Sequence, residues 1–125
     1  MPDTVPIHIR VKPACHEDRS HPERQYWFFS YTIEIANHGD APVQLLARRW
    51  RITDGAGRQE EVRGPGVVGQ TPVIAPGDVF VYTSFCPLPT PVGSMEGSYT
   101  MRRDDGSVFE APIAPFAFED PRFVN

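Results

Sequence analysis

Three glycines in six residues, Gly64-Pro65-Gly66-Val67-Val68-Gly69, form the stretch best suited to chemistry, because glycine amides can approach and cradle a phosphate. A dinucleotide fingerprint needs a strand before such a loop and a helix after it, so that the pyrophosphate rests on free amides at the helix start. Pro65 sits inside the motif, Val67 and Val68 favour extended backbone, and Pro72 and Pro76 forbid a helix downstream. A dinucleotide site of that kind is set aside. Two readings remain: a nest of amides that holds an anion or pyrophosphate without a helix, and a tight crossover between strands with Val67-Val68 pinning the loop onto the core. The candidate binding surface is Gly64, Gly66, Val67, Val68, Gly69 and Gln70.

Metal chemistry has His8, Cys15, His16, His21, His38 and Cys86 to draw on, but no CxxC or HxxxH spacing brings any of them together. Asp104-Asp105 reads as turn chemistry. Ser84 and Cys86 follow a strand without a Gly-x-Ser-x-Gly elbow, and Cys86 reads as a half-buried small hydrophobe. No catalytic residue, metal or cofactor is expected, and the chain is read as a binding protein rather than an enzyme.

Fourteen prolines and ten glycines spread through 125 residues leave room for short extended segments and turns, not helices. The whole chain fits one domain, with its core over about residues 5–120. A net charge of −4 argues against a nucleic-acid partner. Arg48, Arg49, Arg51, Arg58 and Arg63 read as a solvated face balanced by Glu60 and Glu61. The N-terminus lacks a signal-peptide pattern, no window is apolar enough for a bilayer, and two cysteines are too few for a disulfide scaffold. The expected setting is a reducing cytoplasm.

Val5, Ile7, Ile9 and Val11 alternate with His8 and Arg10, an edge strand marked by Pro2 and Pro6. Residues 16–23 have no apolar member and read as a loop. Gln25–Asn37 places Trp27, Phe29, Tyr31, Ile33 and Ile35 on one face of a central strand. In Val43–Thr53, Leu46, Arg48, Trp50 and Ile52 share one face, with Leu45, Ala47, Arg49 and Arg51 on the other. Arg48 at the border of the Trp50 face then requires a carboxylate or carbonyl partner. Asp54–Gly57 turns into Arg58–Val62. Further strands are Pro72–Ile74, Val79–Phe85, Ser94–Arg103 with Met95, Gly97, Tyr99 and Met101 on one side, and Val108–Phe118, broken near Pro112 and Pro115. Seven to eight antiparallel strands in this length predict an all-β sandwich, immunoglobulin-like or fibronectin type III-like. Tyr99 reads either as a corner tyrosine or as an ordinary core tyrosine.

Gly64-x-Gly66-Val67-Val68-Gly69, Pro76-Gly77-Asp78, Tyr82-Thr83-Ser84 and Thr90-Pro91-x-Gly93-x-Met95-x-Gly97-x-Tyr99-x-Met101 together resemble the ApaG family. Tyr31-Thr32-Ile33, Asn37, Gln44-Leu45-Leu46, Arg48, Trp50, Ile52-Thr53-Asp54 and Ile113-x-Pro115-Phe116 fit it too, over roughly residues 5–120. Phe85-Cys86 departs from the small residue expected there, a change assigned to a loop. The resemblance implies a fibronectin type III-like sandwich in a small bacterial cytoplasmic protein linked to cobalt resistance and magnesium efflux, without an established chemical role. Similar domains in eukaryotic F-box proteins imply protein interaction. The expected partner is therefore a protein, with no membrane or nucleic acid, and the surfaces to test are Gly64–Gln70 and the proline-stiffened segment 87–91.

Overall fold

The computed structural model describes residues 6–124. The expectations for Pro2 and Val5 lie outside the described residues. Eight strands form: β1 (Ile7–Cys15), β2 (Trp27–Asn37), β3 (Val43–Asp54), β4 (Gln59–Pro65), β5 (Val73–Ile74), β6 (Val79–Leu88), β7 (Val92–Arg103) and β8 (Val108–Glu119). They pair antiparallel into two sheets, one ordered β1-β2-β6 and the other β4-β3-β7-β8, with β5 added to β3. This is the immunoglobulin-like, fibronectin type III-like sandwich that the alternation predicts. Among the described residues no helix is long and apolar enough to cross a membrane.

The two sheets meet over large aromatic rings. Phe29 stacks on Phe118 with centroids 5.0 Å apart, and Tyr31 meets Trp50 edge-on at 5.5 Å. β2 is central, between β1 and β6, and its inward residues Phe29, Ile33 and Ile35 are fully buried. On one lateral side β1 lies against β8 and closes the sandwich.

Several local expectations change. Leu45 is fully buried on the same side as Trp50, because a bulge at Leu46 shifts the register between β3 and β7. One extra residue reverses the alternation, so Leu45 before it and Trp50 after it both point inward. β6 continues to Leu88, which places Phe85 and Cys86 in a strand instead of a loop, and Cys86 is buried rather than half-buried. β8 is continuous, with its irregularity beside Pro115 and Pro112 inside the ladder opposite Ser98. β8 is an edge strand, where the missing amide of proline can face outward.

The segment 16–23 is a loop built from two short 3-10 turns, Glu17–Arg19 and Pro22–Arg24. Buried Ser20 holds it: its hydroxyl donates to the His16 carbonyl at 2.8 Å and accepts the Phe28 amide at 2.9 Å. Tyr99 is a core tyrosine, fully buried, with its hydroxyl on that of Tyr82. The glycine segment does not cross between sheets. Its flanks, β4 and β5, both pair with β3, and the crossing is made later by the turn Ala75–Asp78.

Candidate functional site

Gly64 is the next-to-last residue of the β4 ladder, opposite Arg48, whose guanidinium lies across its Cα; a Cβ there would come within 2.9 to 3.0 Å of the guanidinium atoms. Arg48 Nη1 donates to the carbonyls of Pro65 at 3.0 Å and Gly66 at 2.9 Å. These are the carbonyl partners that the position of Arg48 requires. The loop therefore turns its carbonyls toward a cation held by the fold, the reverse of the polarity of an anion nest.

The loop amides are also largely committed. Gly66 N–H donates to Leu46 at 2.8 Å, and Val67 and Gln70 exchange bonds of 2.9 and 2.8 Å. Gly66 (φ 57°) can only be glycine, since a Cβ would fall 2.2 Å from the Gln70 carbonyl oxygen. Val67 is buried in the core, as the pinning argument requires, but Val68 is 50% exposed. Val68 also has φ 43°, followed by Gly69 at φ 78°, so a two-residue turn of doubly left-handed backbone presents a β-branched side chain to solvent. The six candidate residues thus divide: Gly64 belongs to β4, Gly66 leads out of it, and Val67–Gln70 form the turn, in which Val67 anchors and Val68 is displayed.

Behind Arg48 lies a buried phenol cluster, Tyr31, Tyr82 and Tyr99. Burial raises all three phenol pKa values above their ordinary range, only partly offset by the nearby Arg48 charge. Nothing in this cluster opens to solvent as a nucleophile would.

The opposite end of β4 borders a groove of about 430 Å³ between the two sheets. Ile52 and Val62 form its floor on one sheet, and Phe85, Cys86 and Leu88 its wall on the other. Burial pushes the Cys86 thiol up to about 11, with the Glu60 carboxylate raising it further. Arg49 and Arg63 both pair with Glu61, at 3.3 and 2.8 Å, a solvated arrangement. The expected face does not extend to Arg48, which is half-buried on the loop carbonyls, nor the balance to Glu60, which has no ion pair among the described residues. The segment after β6 is tied down: Thr90 Oγ1 accepts the Gly55 amide at 2.7 Å and donates to the Val92 carbonyl at 2.7 Å.

The histidines and cysteines are dispersed. His16 Nε2 lies 2.6 Å from Ser30 Oγ, His8 meets His38 edge-on at 4.5 Å, and no group of three or more His, Cys, Asp or Glu among the described residues could hold a metal ion. The groove, the place of Glu60 in its lining and the identity of the Arg48 partners are not legible in the sequence. The apolar inward residues of β6 were its only trace.

Residues 17–103 match the family model described as the ApaG domain. A Methylobacterium sp. (strain 4-46) protein named ApaG is 52% identical over 119 residues, covering 95% of this chain and 92% of that protein. The ApaG protein of Bordetella pertussis is 49% identical over 117 residues, 94% of this chain and 89% of its own. A crystal structure of a Bordetella pertussis protein superposes with a TM-score of 0.90 at 48% identity, covering 93% and 94% of the two chains.

Proposed function

The chain belongs to the ApaG domain family, and on that premise we propose that it is a non-enzymatic module that works by binding another protein. One observation carries this reading: Val68 is held in left-handed backbone with its side chain half exposed, at the tip of a turn fastened by Val67 and Arg48. A valine in that conformation costs on the order of 1–2 kcal/mol relative to extended backbone. Glycine or asparagine would relieve that strain, so a displayed valine is better explained by a contact than by turn chemistry. The cobalt and magnesium link that the family resemblance implies would then run through the bound partner, in a cytoplasmic setting.

The test is affinity capture from a bacterial lysate with the wild type and with Val68→Asp. Val67 is left intact because it is part of the core. A partner retained by the wild type and lost by a folded Val68→Asp supports the reading. If every captured protein is retained equally by both, Val68 is not the contact.

The second reading, phosphate or nucleotide binding at Gly64–Gly69, has one feature in its favour: the Val68 and Gly69 amides lie outside the backbone bonds that close the turn. A thermal-shift panel with ATP, pyrophosphate and diadenosine tetraphosphate decides it, since binding to the native state raises the melting temperature with ligand concentration. No shift at millimolar ligand removes this reading.

A further inference from the structure

We infer that the free edge of β6 is a strand-addition site, taking an extended segment of another protein that carries apolar side chains at alternate positions and a basic residue. This rests on the protein-binding reading above and names a mode of recognition for it.

The free edge follows from the hydrogen-bond parity. The Asn37 amide donates to Asp78, and the register continues Ala36 opposite Val79 through Trp27 opposite Leu88. On the other side of β2, the His38 amide donates to Pro6 and the His16 amide to Phe28, which fixes the even-numbered residues of β2 toward β1. Backbone groups alternate between neighbours along a strand. The amides of Phe80, Tyr82, Ser84 and Cys86 therefore face β2, while those of Val79, Val81, Thr83 and Phe85 face away from it, with no strand beyond among the described residues. Pro87, next in that series, is a residue with no amide to satisfy.

The other sheet edges are guarded in the usual way. β1 carries Arg10, Lys12 and Pro13; β4 carries Glu60, Glu61, Arg63 and Pro65; β8 carries Glu110, Pro112, Pro115 and Glu119. β6 has ten residues and not one charge, and Val79, Val81 and Phe85 are each about half exposed.

The space beside this edge suits one strand. β1 lies against β8, and Tyr82 of β6 reaches Tyr99 of β7, so among the described residues the three-stranded sheet leaves β4 without a strand above it. An added strand would lie over β4. Its residues opposite Ser84 and Cys86 would point into the 430 Å³ groove, onto Ile52 and Val62. A second copy of this chain could not bring its own β6 there, because its facing sheet would run into β4. Charge completes the description. Asp54 and Glu60 line the groove beside one cation, Arg58, so its charge is acidic by one. Asp54 is taken up by the Ala56 and Arg58 amides, and Glu60 has no ion pair among the described residues, so a lysine or arginine on the incoming segment would meet Glu60.

The experiment pans a phage-displayed random twelve-residue peptide library against the full chain, then titrates the enriched peptides into isotope-labelled protein. Enriched sequences should alternate apolar residues and carry a basic residue, and should shift the amides of Val79, Val81, Thr83 and Phe85. Thr83→Pro removes one edge amide while leaving the backbone bonds to β2, and should weaken binding at least tenfold, whereas Thr83→Val, which loses only the 2.9 Å hydroxyl contact with Thr32, should not. Val81→Lys and Phe85→Lys, which add the guard that the other edges have, should weaken it similarly, while Val68→Asp should not. Peptides that shift only residues 66–70, no enrichment at all, or unchanged affinity in folded Thr83→Pro and Phe85→Lys would each overturn the inference. So would a stable dimer that Phe85→Lys dissociates. Lysate capture distinguishes the two levels: a partner sensitive to Val68→Asp but indifferent to Thr83→Pro leaves the protein-binding reading standing and removes only the β6 site.

Discussion

Arg48 and Gly66 are joined by a 2.9 Å hydrogen bond in which the guanidinium donates to the loop carbonyl. With the companion bond to Pro65, a charged side chain from the middle of β3 holds the start of the glycine turn. Bonds from a charged donor contribute about 1.5–3 kcal/mol each when their partners cannot be replaced by water. Arg48 is half-buried, so the lower end of that range applies. Arg48→Met should lower unfolding free energy by about 2 kcal/mol in a denaturant titration and speed amide exchange at residues 66–70. The exposed Arg49→Met should change stability by less than about 0.5 kcal/mol. Equal effects would mean that the carbonyl bonds contribute nothing specific.

Val68 should show the opposite sign. Asparagine tolerates left-handed backbone, so Val68→Asn should raise stability by about 1 kcal/mol, read as an increase in melting temperature. If Val68 is a contact residue, the same substitution should weaken partner capture. A destabilised Val68→Asn would show that the valine side chain packs in the folded protein and that its conformation is not a strain.

Asn37 has the densest polar role in the core. It is 1% exposed; its side-chain amide donates to Ala41 and Ile74 at 2.9 Å, its carbonyl oxygen accepts the Gly39 amide at 2.9 Å, and its backbone pairs with Gly77 and Asp78. It thus joins the end of β2 to β5 in the other sheet. Asn37→Ala removes a hydrogen bond from each of two carbonyls and one amide at this junction and should cost about 3 kcal/mol or more. A loss below about 1 kcal/mol would indicate that water replaces all three bonds.

The Tyr82–Tyr99 hydroxyl pair makes two testable statements. Tyr99→Phe alone leaves the Tyr82 hydroxyl buried without that partner and should cost about 1–3 kcal/mol, while Tyr82→Phe with Tyr99→Phe should recover much of it. Burial raises both phenols above their ordinary value of 10.0, so the fold favours their neutral forms. The stability contribution is complete below pH about 10 and is lost as pH rises toward the folded-state values. Alkaline unfolding should be shallower in the double phenylalanine variant.

Asp120 gives the acid counterpart. Its carboxylate accepts from Arg122 Nη2 at 2.7 Å, and that pairing holds its pKa below the ordinary 3.8 against the opposing effect of burial. The stabilisation is present above the ordinary carboxylate pKa and is lost as pH falls through the depressed one. Asp120→Asn should flatten the acid limb of the stability profile below pH 4 and leave the limb above pH 10 unchanged.

The sandwich is legible in residues whose environment is set by their near neighbours. The inward face Trp27, Phe29, Tyr31, Ile33 and Ile35 is buried as its alternation predicts, the Asp104–Ser107 turn closes through Asp105 as such sequences do, and Arg48 beside Trp50 requires a carboxylate or carbonyl and finds carbonyls. The displayed half of the turn was less legible. Val67 and Val68 are identical residues, one buried and one exposed, and only the left-handed backbone at Val68 separates their fates.

Period-two alternation and scattered prolines are local properties, and they determined by themselves that this chain forms strands, packs two sheets and builds no helix to receive a phosphate. Three things were decided only by tertiary structure: the bulge at Leu46 that puts Leu45 and Trp50 on one face, the choice of Pro65 and Gly66 as partners for Arg48, and the unoccupied place beside β6. Each depends on how many strands stand in each sheet and which lies above which. Those quantities arise from contacts between residues far apart in the chain, and no window of neighbouring residues encodes them.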